Sequence, residues 1–159
     1  VVHPTLPYVL ALDHEPEGAE PHKQINNKLM RFEHRKKLAR LVKSNDTQWM
    51  LANQGYDEES FRDVPENNKL EWLYLDRGLF KRLDFFRSTS LTNLHIPLCQ
   101  ITDITLNGNY PELTQLDLMK NKVKKFDGLN SCRKLRKLGL DMNEIEVLDL
   151  TILDLPCLE

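Results

Sequence analysis

His95 and Asp117 are the first candidates for chemistry in this sequence, an imidazole and a carboxylate 22 residues apart. Set side by side they would form the orienting half of a catalytic triad, which still requires an activated nucleophile. The thiols are Cys99, Cys132 and Cys157. Their odd number and the lack of C-x-x-C spacing indicate neither a disulfide framework nor a zinc cluster, so three free thiols in a reducing compartment are expected. No Gly-rich phosphate loop, H-E-x-x-H or EF-hand pattern occurs. The sequence therefore implies no metal and no cofactor.

What must position His95 and Asp117 is a repeat. The pattern L-x-x-L-x-L, with one Ile in place of Leu, occurs at Leu70/Leu73/Leu75, Leu91/Leu94/Ile96, Leu113/Leu116/Leu118 and Leu135/Leu138/Leu140. The first residues are spaced 21, 22 and 22 apart, and Leu158 starts a fifth copy 23 residues after Leu135. Three positions past each pattern stand Gly78, Cys99, Asn121 and Asn143, followed by Leu79, Ile101, Val123 and Ile145. A constant period of this length marks a repeat architecture. Each L-x-L core is expected to be a short strand lying parallel to the next copy's strand at ~4.8 Å. One copy cannot bury its leucines alone, and stacking merges the apolar stripes into a continuous core. The slot held by Asn121 and Asn143 is expected to be buried, its amide satisfying backbone groups at the turn. Cys99 can stand in that slot and Gly78 is a departure, so the first copy is expected to be distorted.

The chain before the repeats divides by composition. Residues 1–20 begin with a short apolar run, Tyr8 to Leu12, and pass into DHEPEGAEP, an acidic, Gly- and Pro-containing stretch. An extended segment or linker is expected there. Residues 21–68 are expected to be a helical cap. The main helix covers 21–43, with Pro21 at its first position and Ile25, Leu29, Met30, Leu38, Leu41 and Val42 near one stripe, Phe32 and Ala39 filling in. Ser44-Asn45-Asp46 ends it, a shorter helix is expected over TQWMLANQ until Gly55, and Asp57 caps a last turn. Residues 69–159 hold the four copies and the start of a fifth. Phe80, Phe85 and Phe86 in the first copy are expected to pack against the preceding helices. No apolar run approaches the ~18 residues of a membrane span, and the first residues lack the basic region and cleavage site of a signal peptide.

Copies three and four continue N-K-V-K-K-F-D-G-L and N-E-I-E-V-L-D-L. Over roughly 70–159 the chain resembles the 22-residue subclass of intracellular leucine-rich repeat proteins, typified by the regulatory subunit of protein phosphatase 1. The resemblance implies an α/β leucine-rich repeat solenoid with parallel strands on the concave side, here behind an N-terminal helical cap. It also implies that the concave side binds a partner protein. Carried over by repeat position, that side has a column of Trp72, Asn93, Gln115 and Lys137 and a second of Tyr74, His95, Asp117 and Gly139. Asp76, Pro97, Met119 and Asp141 form a third. Trp72 and Tyr74 make an aromatic anchor of the kind enriched at hot spots, or else pack under the N-terminal helices. His95 and Asp117 become neighbours. With Cys99 in a buried slot and no serine in these columns, a surface polar pair is expected, not an enzyme.

The expected function is thus an intracellular interaction module, cytoplasmic or nuclear, acting as an adaptor or scaffold. The alternative is a nucleic-acid-associated adaptor. Residues 22–44 carry seven net positive charges, and Arg31, Arg35, Lys36, Lys37, Arg40 and Lys43 would contact phosphates. Acidic headgroups or a calmodulin-like partner would suit the same face. Acidic segments flank this helix on both sides, however, and a solvated face is the commoner outcome. Because the sequence stops two residues into a fifth copy, a further chain or domain covering that end is also expected.

Overall fold

The computed structural model describes residues 21–125, 127–147, 149, 151 and 154–159. The extended segment expected at 1–20 lies outside them. Helix α1 (Pro21–Lys43) is followed by β1 (Gln48–Met50), a short helix α2 (Glu58–Phe61), β2 (Trp72–Tyr74), β3 (Asn93–His95), β4 (Gln115–Asp117) and β5 (Lys137–Gly139). The strands form one sheet in the order β1-β2-β3-β4-β5, every neighbouring pair parallel. The architecture is a solenoid of parallel strands with an N-terminal helix.

Each strand is three residues long, and period-two alternation sends only its middle residue inward. Leu73, Leu94 and Leu116 are fully buried there, as are Leu75, Ile96 and Leu118 just beyond the strands. Leu138, Leu140, Ile145 and Leu158 are only partly buried. The Glu159 amide donates to the Arg136 carbonyl, continuing the hydrogen-bond ladder past β5.

The chain leaves the sheet through one left-handed residue per coil: Asn53, Arg77, Leu98, Lys120 and Met142, with φ between 50° and 57°. Such a conformation costs a non-glycine residue about 1–2 kcal/mol. The next coil offsets that cost, because Arg77, Leu98 and Lys120 donate their amides to the carbonyls of Pro97, Met119 and Asp141. The following slot works as expected. Asn121 accepts from the Ile101 amide at 3.0 Å and donates to the carbonyls of Ile96 and Leu118. Asn143 repeats this one coil later, accepting from Val123 and donating to Leu118 and Leu140. In Cys99 the thiol plays both parts, taking the Gly78 amide at 3.3 Å and facing the Pro97 carbonyl at 3.5 Å.

Two expectations need correction. The stretch TQWMLANQ is not a helix, because β1 within it pairs with β2, Gln48 opposite Trp72 and Met50 opposite Tyr74. Trp49 and Leu51 are buried where later coils bury Leu73 and Leu75, so the alternation W-x-L and the neighbouring strand override local helix propensity. The first recognised copy is consequently not terminal, and its strand pairs with β3 in regular register. Gly78 has a specific reason instead. A Cβ there would lie 2.7 Å from the Tyr56 carbonyl oxygen, which accepts the Leu79 amide.

The second correction concerns α1. Its buried side chains include Asn27, His34 and Leu38, while Leu29 (51% exposed) and Phe32 (60%) face outward. Leu38, Leu41 and Val42 of the expected stripe pack on the core, and polar groups join the helix to residues 54–60. His34 stacks on Tyr56 with ring centres 4.1 Å apart, its Nε2 2.7 Å from the Gln54 carbonyl and its Nδ1 3.0 Å from Ser60 Oγ. Asp57 caps α2 as expected, closing a capping box with Ser60. Phe61 of α2 meets Phe80, Phe85 and Phe86 with ring centres 4.9–5.8 Å apart, which joins the cap to the repeats. Among the described residues no helix is long and apolar enough to cross a membrane.

Candidate interaction face

Residues flanking each inward leucine point away from the core, and the strand register aligns them. Trp72, Asn93, Gln115 and Lys137 stand in successive register, and so do Tyr74, His95, Asp117 and Gly139. The structure therefore brings together all seven residues expected to meet a partner. It adds Gln48 and Met50, one at the head of each column. Met50, 59% exposed, is among the most open apolar side chains of the described residues. Both were hidden by the helical reading of TQWMLANQ, although the W-x-L spacing was the signal for them.

The columns are held in place laterally. Asn93 Nδ2 donates to Gln115 Oε1 at 3.2 Å, and Thr92 and Thr114 bond by their hydroxyls to the carbonyls of Glu71 and Thr92. Trp72, 38% exposed, lies with its ring centre 5.4 Å from that of His95, and Tyr74 lies 6.5 Å from it on the second column. Trp72 thus remains open on the sheet, while α1 packs against residues 54–60. Burial first, and then the Asp76 carboxylate, push the Tyr74 phenol above its ordinary value, so the ring is neutral. In the third column Asp76 is buried and paired with Arg77 at 3.1 Å, and Pro97 is buried. Neither offers much to a partner.

His95 and Asp117 are neighbours, with Nδ1 to Oδ2 3.7 Å, longer than a hydrogen bond. Asp117 Oδ1 instead accepts the Met119 amide at 3.0 Å. Among the described residues the buried His95 Nε2 has no hydrogen-bond partner. Cys99 sits in its turn slot, and burial pushes its thiol up to about 12, leaving it protonated at neutral pH. Among the described residues no group of three or more His, Cys, Asp or Glu could hold a metal ion.

Three of the six basic side chains named on the helix are committed to the fold. Arg31 pairs with Asp57 at 3.1 Å, Arg35 holds the Glu59 carbonyl at 3.1 Å and faces its carboxylate at 3.6 Å, and Lys37 donates to Gln54 Oε1 at 3.0 Å. Lys36, Arg40 and Lys43 are exposed. On the later coils Arg133, Lys134 and Arg136 pair with Asp154, Glu112 and Glu159. Compared with known proteins, the chain matches no family model and no curated protein. The case for a function therefore rests on this geometry.

Proposed function

We propose that this chain is a leucine-rich repeat interaction module that binds a partner protein through its concave face. The observation that carries the reading is the open Trp72 ring, set beside His95 and Tyr74 on a sheet whose backbone is fixed coil by coil. Large aromatics held rigid on a surface lose little entropy on binding and supply most of the energy at interfaces. The module acts by presentation, without chemistry of its own. Free thiols at Cys99, Cys132 and Cys157 suit an intracellular setting. Binding of nucleic acid through α1 is the weaker reading, because Arg31, Arg35 and Lys37 are engaged with residues 54–59.

The test is affinity capture from cell extract with three proteins: the wild type, Trp72→Ala/Tyr74→Ala, and Lys36→Glu/Arg40→Glu/Lys43→Glu. Circular dichroism checks the fold of each. Loss of a protein partner from the folded aromatic variant alone supports the concave face. If only the helix variant loses material, and nuclease strips it from the wild type too, the face is not the binding surface.

A further inference from the structure

We infer that the concave face receives an arginine side chain of its partner, with the guanidinium lying on the Trp72–His95–Tyr74 rings and bonded to Asp117. This rests on the concave-face reading and specifies the chemistry it selects. Three observations carry it.

The first is the ring surface. Trp72 and Tyr74 of β2 both stand on one side of His95, with ring centres 5.4 and 6.5 Å from it and interplanar angles of 40° and 34°, and Asp117 of β4 stands on the other. Aromatic faces attract cations, and a planar guanidinium stacks on them better than an ammonium does.

The second is the carboxylate beside the rings. Asp117 follows His95 in the same column. Its Oδ1 is used by the Met119 amide, whereas Oδ2 lies 3.7 Å from His95 Nδ1, beyond hydrogen-bond reach. Among the described residues no hydrogen bond reaches Oδ2, which leaves it open to a donor from outside.

The third is the gap on the far side. Gly139 is the next residue of the column, and a Cβ there would stand 2.9 Å from Asp117 Oδ1. A side chain at 139 would crowd the carboxylate, and glycine leaves it bare. Lys137, in the neighbouring column on the same strand, forms no ion pair with Asp117 among the described residues. The local chemistry is a group of aromatic rings beside a half-buried carboxylate with one unused oxygen, which complements a cation with a flat apolar face.

The probe is N-acetyl-arginine methylamide, titrated against the full chain while the indole N–H resonance of Trp72 is followed by NMR. Trp72→Phe assigns that resonance, and the buried Trp49 indole serves as internal control. The comparison ligand is the corresponding blocked citrulline, nearly the same shape without the charge. The arginine derivative should shift Trp72 saturably, and the citrulline derivative should bind about tenfold more weakly, the worth of one charge-assisted hydrogen bond. Asp117→Asn keeps an acceptor for the Met119 amide, so it should fold and should remove that tenfold difference. Lys137→Gln should tighten binding by removing a positive charge from the neighbouring column. Equal shifts from the two ligands, no shift from either, or undiminished arginine preference in Asp117→Asn overturns the inference. Should that happen while Trp72→Ala/Tyr74→Ala still abolishes capture of a protein partner, the charge assignment alone is wrong and the interaction face stands.

Discussion

Replacing Asn121 by alanine tests how the solenoid is held together. Asn121 is 6% exposed, and its side chain spans two coils. The Ile101 amide bonds to Oδ1 at 3.0 Å, and Nδ2 reaches the carbonyls of Ile96 at 2.7 Å and Leu118 at 3.0 Å. Alanine would leave the Ile101 N–H buried and unpaired, a loss of about 1–3 kcal/mol, and would strip the Ile96 carbonyl of a bond worth about 1 kcal/mol. The Leu118 carbonyl keeps a donor, since Asn143 Nδ2 also bonds to it at 2.8 Å. The expected total is about 3 kcal/mol, roughly 6–12 °C in Tm for a domain of this size. Asn143→Ala makes the matched comparison. It removes the same kinds of bond, but Asn143 is half-buried and water can replace part of what is lost, so about 1 kcal/mol is expected. Asn121→Cys should recover part of the deficit, because Cys99 fills the same slot by accepting the Gly78 amide. Urea denaturation followed by circular dichroism measures all three. If Asn121→Ala costs no more than Asn143→Ala, the slot is not what closes the turns and the accounting is wrong.

Further outcomes follow from particular residues. Burial lowers the His34 imidazole below 6.5, so the unfolded chain binds the extra proton and stability falls as pH drops below 6.5, levelling off under the folded value. For Asp57, burial raises the carboxyl, but hydrogen bonds from Ser60 and the Arg31 charge outweigh it and hold the group below 3.8; its contribution is present above 3.8 and lost as pH falls through the lower, folded value. Urea midpoints from pH 7.5 to 5 should show the first slope in the wild type and lack it in His34→Gln. Gly78→Ala should cost about 1–3 kcal/mol through overpacking, since its Cβ would meet the Tyr56 carbonyl oxygen at 2.7 Å. A neutral effect on the urea midpoint would contradict that contact. In a native thiol titration Cys157, which is exposed, should react at once. Cys99 and Cys132, buried and pushed up to about 12 and about 11, should react only on unfolding.

The strands β2 to β5 and both outward columns were legible because a constant period fixes register, and register fixes which residues lie side by side. Trp72, Asn93, Gln115 and Lys137 line up for no other reason. The N-terminal part yielded less. Gln, Met, Leu and Ala suit a helix over TQWMLANQ, and only the pairing of β1 with β2 makes that stretch a strand. Gly78 looked like a defect because the Tyr56 carbonyl that excludes a side chain comes from 22 residues upstream. The buried face of α1 escaped a search for apolar periodicity, since Asn27 and His34 are polar and their partners lie in another element. The residues of the aromatic–carboxylate group follow from the columns, but the unused oxygen of Asp117 depends on distances that no spacing contains.

These differences divide the molecule's residues by task. Inward leucines, the Asn slot and the left-handed residues set the path of the chain; Asn53 bonds to Asp76 of the third column, but none of them hydrogen-bonds to Trp72 or Tyr74. Substituting Trp72 or Tyr74 therefore removes little from the core, which is what allows a binding surface to vary on a constant scaffold. The opposite holds for α1. Arg31 bonds to the same Asp57 that caps α2, and Asp57 is joined through Ser60 to His34. Docking of the helix and the shape of the first coil are thus one network, in which losing any member leaves a buried polar group unpaired. Part of the positive charge of this helix is structural: Arg31, Arg35 and Lys37 tie it to residues 54–59, whereas Trp72 stands open on the sheet.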